Sequence, residues 1–168
     1  LELKKKLKLF GCIAVVLLLA ACASAEAEEL VGYHNNYVDQ VNSKIAEINT
    51  LNQQSLSAAS FQEAYEIQES ELLPLVNEIK DYIDSREPES EIVQEYHALR
   101  KDQLHTWHEA FQMKFEVLGQ MAEQSISEAE ANEIIMEADN KFIEAGEKAQ
   151  EADQRMQELA EEHNLELE

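Results

Sequence analysis

The chain has 168 residues, enough for one domain. Four glycines and two prolines set among abundant Glu, Ala, Gln and Leu favour helix, and runs of β-branched and aromatic residues at period two are missing. Charge is one-sided at 13 basic against 35 acidic residues, net −22, which excludes a phosphate backbone as a natural partner and gives anionic lipid headgroups nothing to attract.

The basic residues are unevenly placed. Lys4, Lys5, Lys6 and Lys8 open the chain, and Leu9–Leu19 follows as a short apolar run. A basic segment, an apolar segment and then small residues form the layout of a secretory signal. The apolar run falls short of the ~20 residues needed to span a bilayer as a helix. Next comes Leu19-Ala20-Ala21-Cys22. Removing residues 1–21 takes away four lysines and Glu2, leaving 9 basic and 34 acidic residues. The expected boundaries are a signal over 1–21, a short polar tether over 22–29 (Cys-Ala-Ser-Ala-Glu-Ala-Glu-Glu) and an acidic helical domain over 30–168. An ordinary secretory signal cut after Ala21 or Ala23, with Cys22 incidental, fits the same residues.

The spacing predicts four helices. Helix 1 covers about Leu30–Ser55, with Val31, Tyr37, Val38, Val41, Ile45, Ile48 and Leu51 on one stripe. Ser60-Phe61-Gln62-Glu63 is a capping-box pattern opening helix 2, which runs to about Ser85 with a kink expected at Pro74. Glu87-Pro88 stops it. Helix 3, about Ser90–Glu123, carries most of the large aromatics, including Trp107, Phe111 and Phe115. Ser127-Glu128-Ala129-Glu130 is a second capping box, opening helix 4. There Ala131, Ile135, Ala138, Phe142, Ala145, Ala149, Ala152, Met156 and Leu159 alternate steps of four and three, a heptad seam that calls for coiled-coil packing. The expected fold is an all-α, antiparallel up-down-up-down bundle, with three helices as the alternative if the first two merge.

Chemistry is scarce along this chain. Cys12 leaves with the signal, and no cysteine follows Cys22. Gly-x-Ser-x-Gly, His-Glu-x-x-His and glycine-rich phosphate loops do not occur, and the serines gather at helix caps. Asp102 and His105 have the Asp-x-x-His spacing of half a carboxylate-bundle metal site. On a helical wheel, however, His105 points about 150° from the apolar face at ~100° per residue, and His97 and His108 fall on its boundary. His34 and His163 lie near helix ends without a partner in the sequence. The reading is therefore of a chain that is no enzyme and holds no metal. Trp107 and Phe111 are the residues singled out for ligand or partner contact, with a core role the commoner fate of such a stripe.

Leu19-Ala20-Ala21-Cys22 resembles the lipobox of bacterial lipoproteins at all four positions. Together with Leu72-Leu73-Pro74, the Glu87-Pro88 stop and the alanine heptads of helix 4, it makes the chain similar to the small helical lipoproteins of Gram-positive bacteria, some of them described as cell-wall-binding. The lipobox resemblance implies a thioether-linked diacylglyceryl group on Cys22, with or without an N-acyl chain, and cleavage before it. No other cofactor is implied. It implies a domain held by its lipid on the outer face of the plasma membrane, where two acyl chains suffice for stable anchoring. Its partners would be the membrane and an envelope protein or cell-wall polymer, and its activity that of a non-catalytic interaction module. A ligand- or metal-binding lipoprotein and a phage- or conjugation-exclusion lipoprotein are the alternatives. The oligomeric state is not legible in these features.

Overall fold

The computed structural model describes the backbone of residues 2–165 and the side chains of residues 25–165. Among these residues it is helical throughout: α1 (Glu2–Leu56), α2 (Phe61–Ile67), a π turn (Gln68–Leu72), α3 (Leu73–Asp84), α4 (Glu91–Ala122) and α5 (Glu128–His163). The α2–π–α3 stretch is one uninterrupted rod. Four rods joined by the short loops 57–60, 85–90 and 123–127 must run antiparallel to their neighbours in sequence, which gives the up-down-up-down bundle.

Local chemistry sets most boundaries. Ser60 caps α2 by accepting from the Glu63 N–H at 3.2 Å, while the Glu63 carboxylate takes the N–H of Ala59 instead of closing the box on Ser60. At α5 the box is complete, with Ser127 and Glu130 each accepting the other's backbone N–H. Both α4 and α5 end in a left-handed residue, Gln124 (φ 56°) and Asn164 (φ 54°). The next N–H then reaches back five residues, Ser125 to the Gln120 carbonyl at 2.9 Å and Leu165 to the Ala160 carbonyl at 2.8 Å, closing a Schellman-type cap.

Pro74 acts one step earlier than a simple kink. Proline has no N–H to donate, and its ring crowds the carbonyl of residue i−4. The helix answers by widening just before it. The Leu73 N–H bonds to the Gln68 carbonyl, an i→i−5 bond, and Pro74 then sits in the first turn of α3.

The core follows the expected stripes. Leu30, Tyr33 and Val41 of α1 meet Leu72, Val76, Ile79 and Ile83 of the second rod and Val93, Tyr96 and Leu104 of α4, with Met156 and Leu159 of α5 closing one end. The small seam residues Ala131, Ala138, Ala145 and Ala152 are buried. They let α5 lie close along α4, its most extensive neighbour, where Ala110 is also buried.

Residues 22–29, expected as a short tether, are helical and continue α1 without a break. Alanine and glutamate are good helix formers, and the neighbouring rods give this stretch something to pack on. Ala27 is buried. The Glu29 carboxylate accepts from the N–H groups of Glu89 (2.8 Å) and Ser90 (3.0 Å), capping the start of α4 from another helix.

Candidate functional site

Tyr96 and Arg100 stand four apart on α4 and so share a face. That face is turned inward: Tyr96 is fully buried and Arg100 is 4% exposed. Burying a guanidinium costs several kcal/mol unless its donors are met, and three elements supply partners. Nε donates to the Tyr96 hydroxyl at 2.8 Å, Nη1 donates to Gln103 Oε1 at 3.1 Å, and Nη2 pairs with Asp153 of α5. The guanidinium also lies 4.8 Å from the ring centre of Tyr37 on α1 and 5.2 Å from that of Tyr96, within cation–π range. Burial opposes its charge, but Tyr96, Tyr37 and Asp153 more than offset that and hold Arg100 ionised.

The cluster extends through two histidines. The Tyr96 hydroxyl, which accepts from Arg100, also lies 2.9 Å from His34 Nδ1. The Tyr33 hydroxyl lies 2.7 Å from His97 Nδ1. Burial, then nearby cations (Arg100 for His34; Lys101 and Arg86 for His97), lower both histidines below the ordinary value. Burial pushes the Tyr96 hydroxyl up to about 12 and raises Tyr33 and Tyr37 as well. At neutral pH the cluster is thus the Arg100–Asp153 ion pair among neutral hydroxyl, carboxamide and imidazole groups, and it holds α1, α4 and α5 together.

The remaining histidines pair across helices too. His105, expected to face solvent, sits against the end of α3, with Nε2 at 2.8 Å from Asp84 Oδ1. Asp84 also takes Lys80 (2.6 Å) and Lys101 (2.9 Å), and these bonds, Lys80 first, hold its carboxyl far below the usual range. Asp102 does not join His105; it pairs with Lys148 of α5 at 2.9 Å. His108 Nε2 lies 3.1 Å from Asn77 Oδ1. Among the described residues no three or more His, Cys, Asp or Glu side chains gather as a metal set.

Trp107 and Phe111 form part of an aromatic ladder on α4. Ring centres step from Trp107 to Phe111 at 6.3 Å, to Phe115 at 6.5 Å and to Tyr65 of α2 at 5.1 Å. Tyr65 lies flat beside Gly119, where an added Cβ would come within 2.9 Å of its ring. Phe111 is buried and Trp107 half-buried against the core. Two open clefts lie elsewhere, at the end of the bundle where the packed part of α1 starts. One, about 910 Å³, is bordered by Glu29, Tyr33, Arg86, Pro88 and Ser90; the other, about 810 Å³, by Ala27, Val31, Gly32, His163 and Leu165. Neither touches Trp107 or Phe111. Leu19, Ala20, Ala21 and Cys22 lie on the backbone of α1, and their side chains fall outside the described residues.

Sequence patterning passed over Arg100 and its ring of partners. The signal was present: Tyr96, Arg100 and Leu104 follow one another at i+4 on the same apolar stripe, which puts an arginine where the interior should be. Comparison with family models, with curated proteins and with solved structures finds no match for the chain.

Proposed function

We propose that this chain is a lipid-anchored lipoprotein on the outer face of the plasma membrane, serving as a non-catalytic interaction module for an envelope protein or cell-wall polymer. The observation that carries the reading is Leu19-Ala20-Ala21-Cys22 placed directly after a basic and then an apolar segment. A thioether at Cys22 uses the one side chain with the right nucleophile, and two acyl chains give firm anchoring without help from an acidic surface. No helix among the described residues is long and apolar enough to cross a membrane, so a lipid anchor would meet a need that charge and that part of the fold leave open.

The continuity of α1 gives this anchor a mechanical role. With cleavage before Cys22 the lipidated residue opens the remaining helix, and the lipid joins a stiff rod. From Cys22 to Leu56 that rod rises about 51 Å at ~1.5 Å per residue, carrying the 57–60 and 123–127 loops away from the bilayer. The Arg100 cluster supports a scaffold role as well, because its polar groups join α1, α4 and α5.

The test is metabolic labelling with palmitate in cells making the parent chain or Cys22→Ala. The proposal expects label in the parent alone and release of the variant from the membrane fraction. An unlabelled parent, or a variant equally retained, overturns the anchor. Cross-linking in the same cells tests the module: an envelope protein or wall fragment should be captured with the parent, and capture of neither under several growth conditions removes that part of the reading.

A further inference from the structure

The face of α1 turned away from the core differs from the rest of this acidic protein. From His34 to Ser60 the chain carries Asp39, Glu47 and Lys44 as its only charges, whereas α5 alone carries 12 acidic and 3 basic residues. In place of charge, the outer face of α1 has asparagines at a seven-residue repeat: Asn35, Asn42 and Asn49, with Leu56 one step further. All four are exposed, and Leu56 is the most exposed large apolar side chain among the described residues, at 72%.

The next residue in each repeat behaves differently. Asn36, Ser43 and Thr50 turn back and donate to the carbonyls four residues earlier, those of Gly32, Asp39 and Ala46. Among the described residues, the side chains of Asn35, Asn42 and Asn49 make no hydrogen bond within the chain, in contrast to those of Asn36, Ser43 and Thr50. Asparagine is a poor former of helix interiors, so three at heptad spacing work against α1 and do nothing within the bundle. Val38 and Ile45, three residues after Asn35 and Asn42, are only half-buried against the core and complete an a/d spacing.

We infer that this stripe is a self-association surface, on which α1 of a second copy packs in parallel and in register. Three arguments select that occupant. A carboxamide is both donor and acceptor, so an asparagine facing its own copy across a two-fold axis is satisfied, and asparagine at such positions is known to fix register and strand number. The stripe is also a face on which two strongly acidic molecules can meet with little like-charge repulsion. Direction follows from the ends. A parallel pair sets Leu56 against Leu56 at one end and Glu28 against Glu28 at the other, where both carboxylates stay in water and repel weakly; an antiparallel pair centred on Asn42 sets Leu56 against Glu28 at both ends and gains no contact between the apolar side chains. The inference does not need the lipid anchor, although two copies leaving one bilayer would already be aligned this way.

The test is disulfide trapping of the full chain in the membranes of the cells that make it. Asn42→Cys, Asn49→Cys and, on the outer face of α5, Gln150→Cys are each oxidised mildly, with the parent chain run alongside to give the background from Cys12 and Cys22. Equivalent positions in register lie within disulfide reach, about 4.4–6.8 Å between Cα atoms. The expected result is a covalent dimer from Asn42→Cys and from Asn49→Cys, none above background from Gln150→Cys, and loss of the Asn49→Cys dimer when Leu56→Glu is added. Equal trapping at all three positions means random collision and overturns the inference, as does trapping at none. A mixed Asn35→Cys and Asn49→Cys product without the Asn49→Cys homodimer overturns the parallel register. Circular dichroism of each variant confirms that these surface changes leave the helices intact.

Discussion

Removing a single oxygen tests whether Arg100 organises the interior. In Tyr96→Phe the ring and its packing stay, but Arg100 Nε loses its acceptor in a place water does not reach, since Tyr96 is fully buried and Arg100 nearly so. Leaving a buried donor unmet costs ~1–3 kcal/mol, and with the lost bond to His34 counted in, about 2–3 kcal/mol is expected in total. With a urea m-value of about 2 kcal/mol per molar, that lowers the unfolding midpoint by about 1 to 1.5 M at unchanged m. Arg100→Met is the instructive contrast. It removes the charge while filling similar space, and Asp153, whose side chain is 61% exposed, returns to solvent. Exchanging a buried ion pair for an apolar side chain is often neutral, so this variant should stay within about 1 kcal/mol of the parent. In the Arg100→Met background, Tyr96→Phe loses only its bond to His34, about 1 kcal/mol, so the double-mutant cycle should give a coupling of about 1–2 kcal/mol. A Tyr96→Phe that costs nothing, or the same cost in both backgrounds, would refute this account of the interior.

Other consequences follow from the same contacts. His34, His97 and His108 are all lowered below the ordinary 6.5, burial being the first cause. The unfolded chain therefore binds protons more readily, and stability, full above pH 6.5, should fall as pH drops through the window below it. A further loss comes below about pH 4.5, where the lowered carboxyls of Glu95 and Glu109 take up protons. Urea midpoints that do not change between pH 7.5 and 5 would contradict the histidine contribution. Gly146 lies mid-helix with open space where a Cβ would go, so Gly146→Ala should stabilise by about 0.8–1 kcal/mol on helix propensity. Gly119→Ala should gain little or nothing in the same melts, because the Tyr65 ring must move aside. Gln124→Gly, at φ 56°, should raise the melting temperature by a few degrees, since glycine adopts that backbone without the ~1–2 kcal/mol an L side chain incurs.

The helices and their order were legible because their signals are local. Ser60 and Ser127 with a glutamate three residues on, the Glu87-Pro88 stop and the unbroken seam from Ala131 to Leu159 each state a boundary or a face in a few residues. Tertiary partners were not legible. The 22–29 segment reads as a polar tether until α4 is beside it; then Glu29 has two backbone donors to accept from. Helical-wheel reasoning sent His105 to solvent because it knew the apolar face of its own helix and nothing of Asp84 at the end of α3. Arg100 was passed over since an arginine on an apolar stripe looks like an interruption until Tyr37 of α1 and Asp153 of α5 are placed around it. The lipobox stands apart, because its meaning lies in the chemistry of one thiol and in no contact of the fold.

Mass spectrometry of the protein extracted from membranes tests the anchor most directly. The account predicts an N-terminal peptide that begins at Cys22 and carries a thioether-linked diacylglyceryl group. A peptide that runs through Ala21 into Cys22, or a Cys22 with a free thiol, would contradict it.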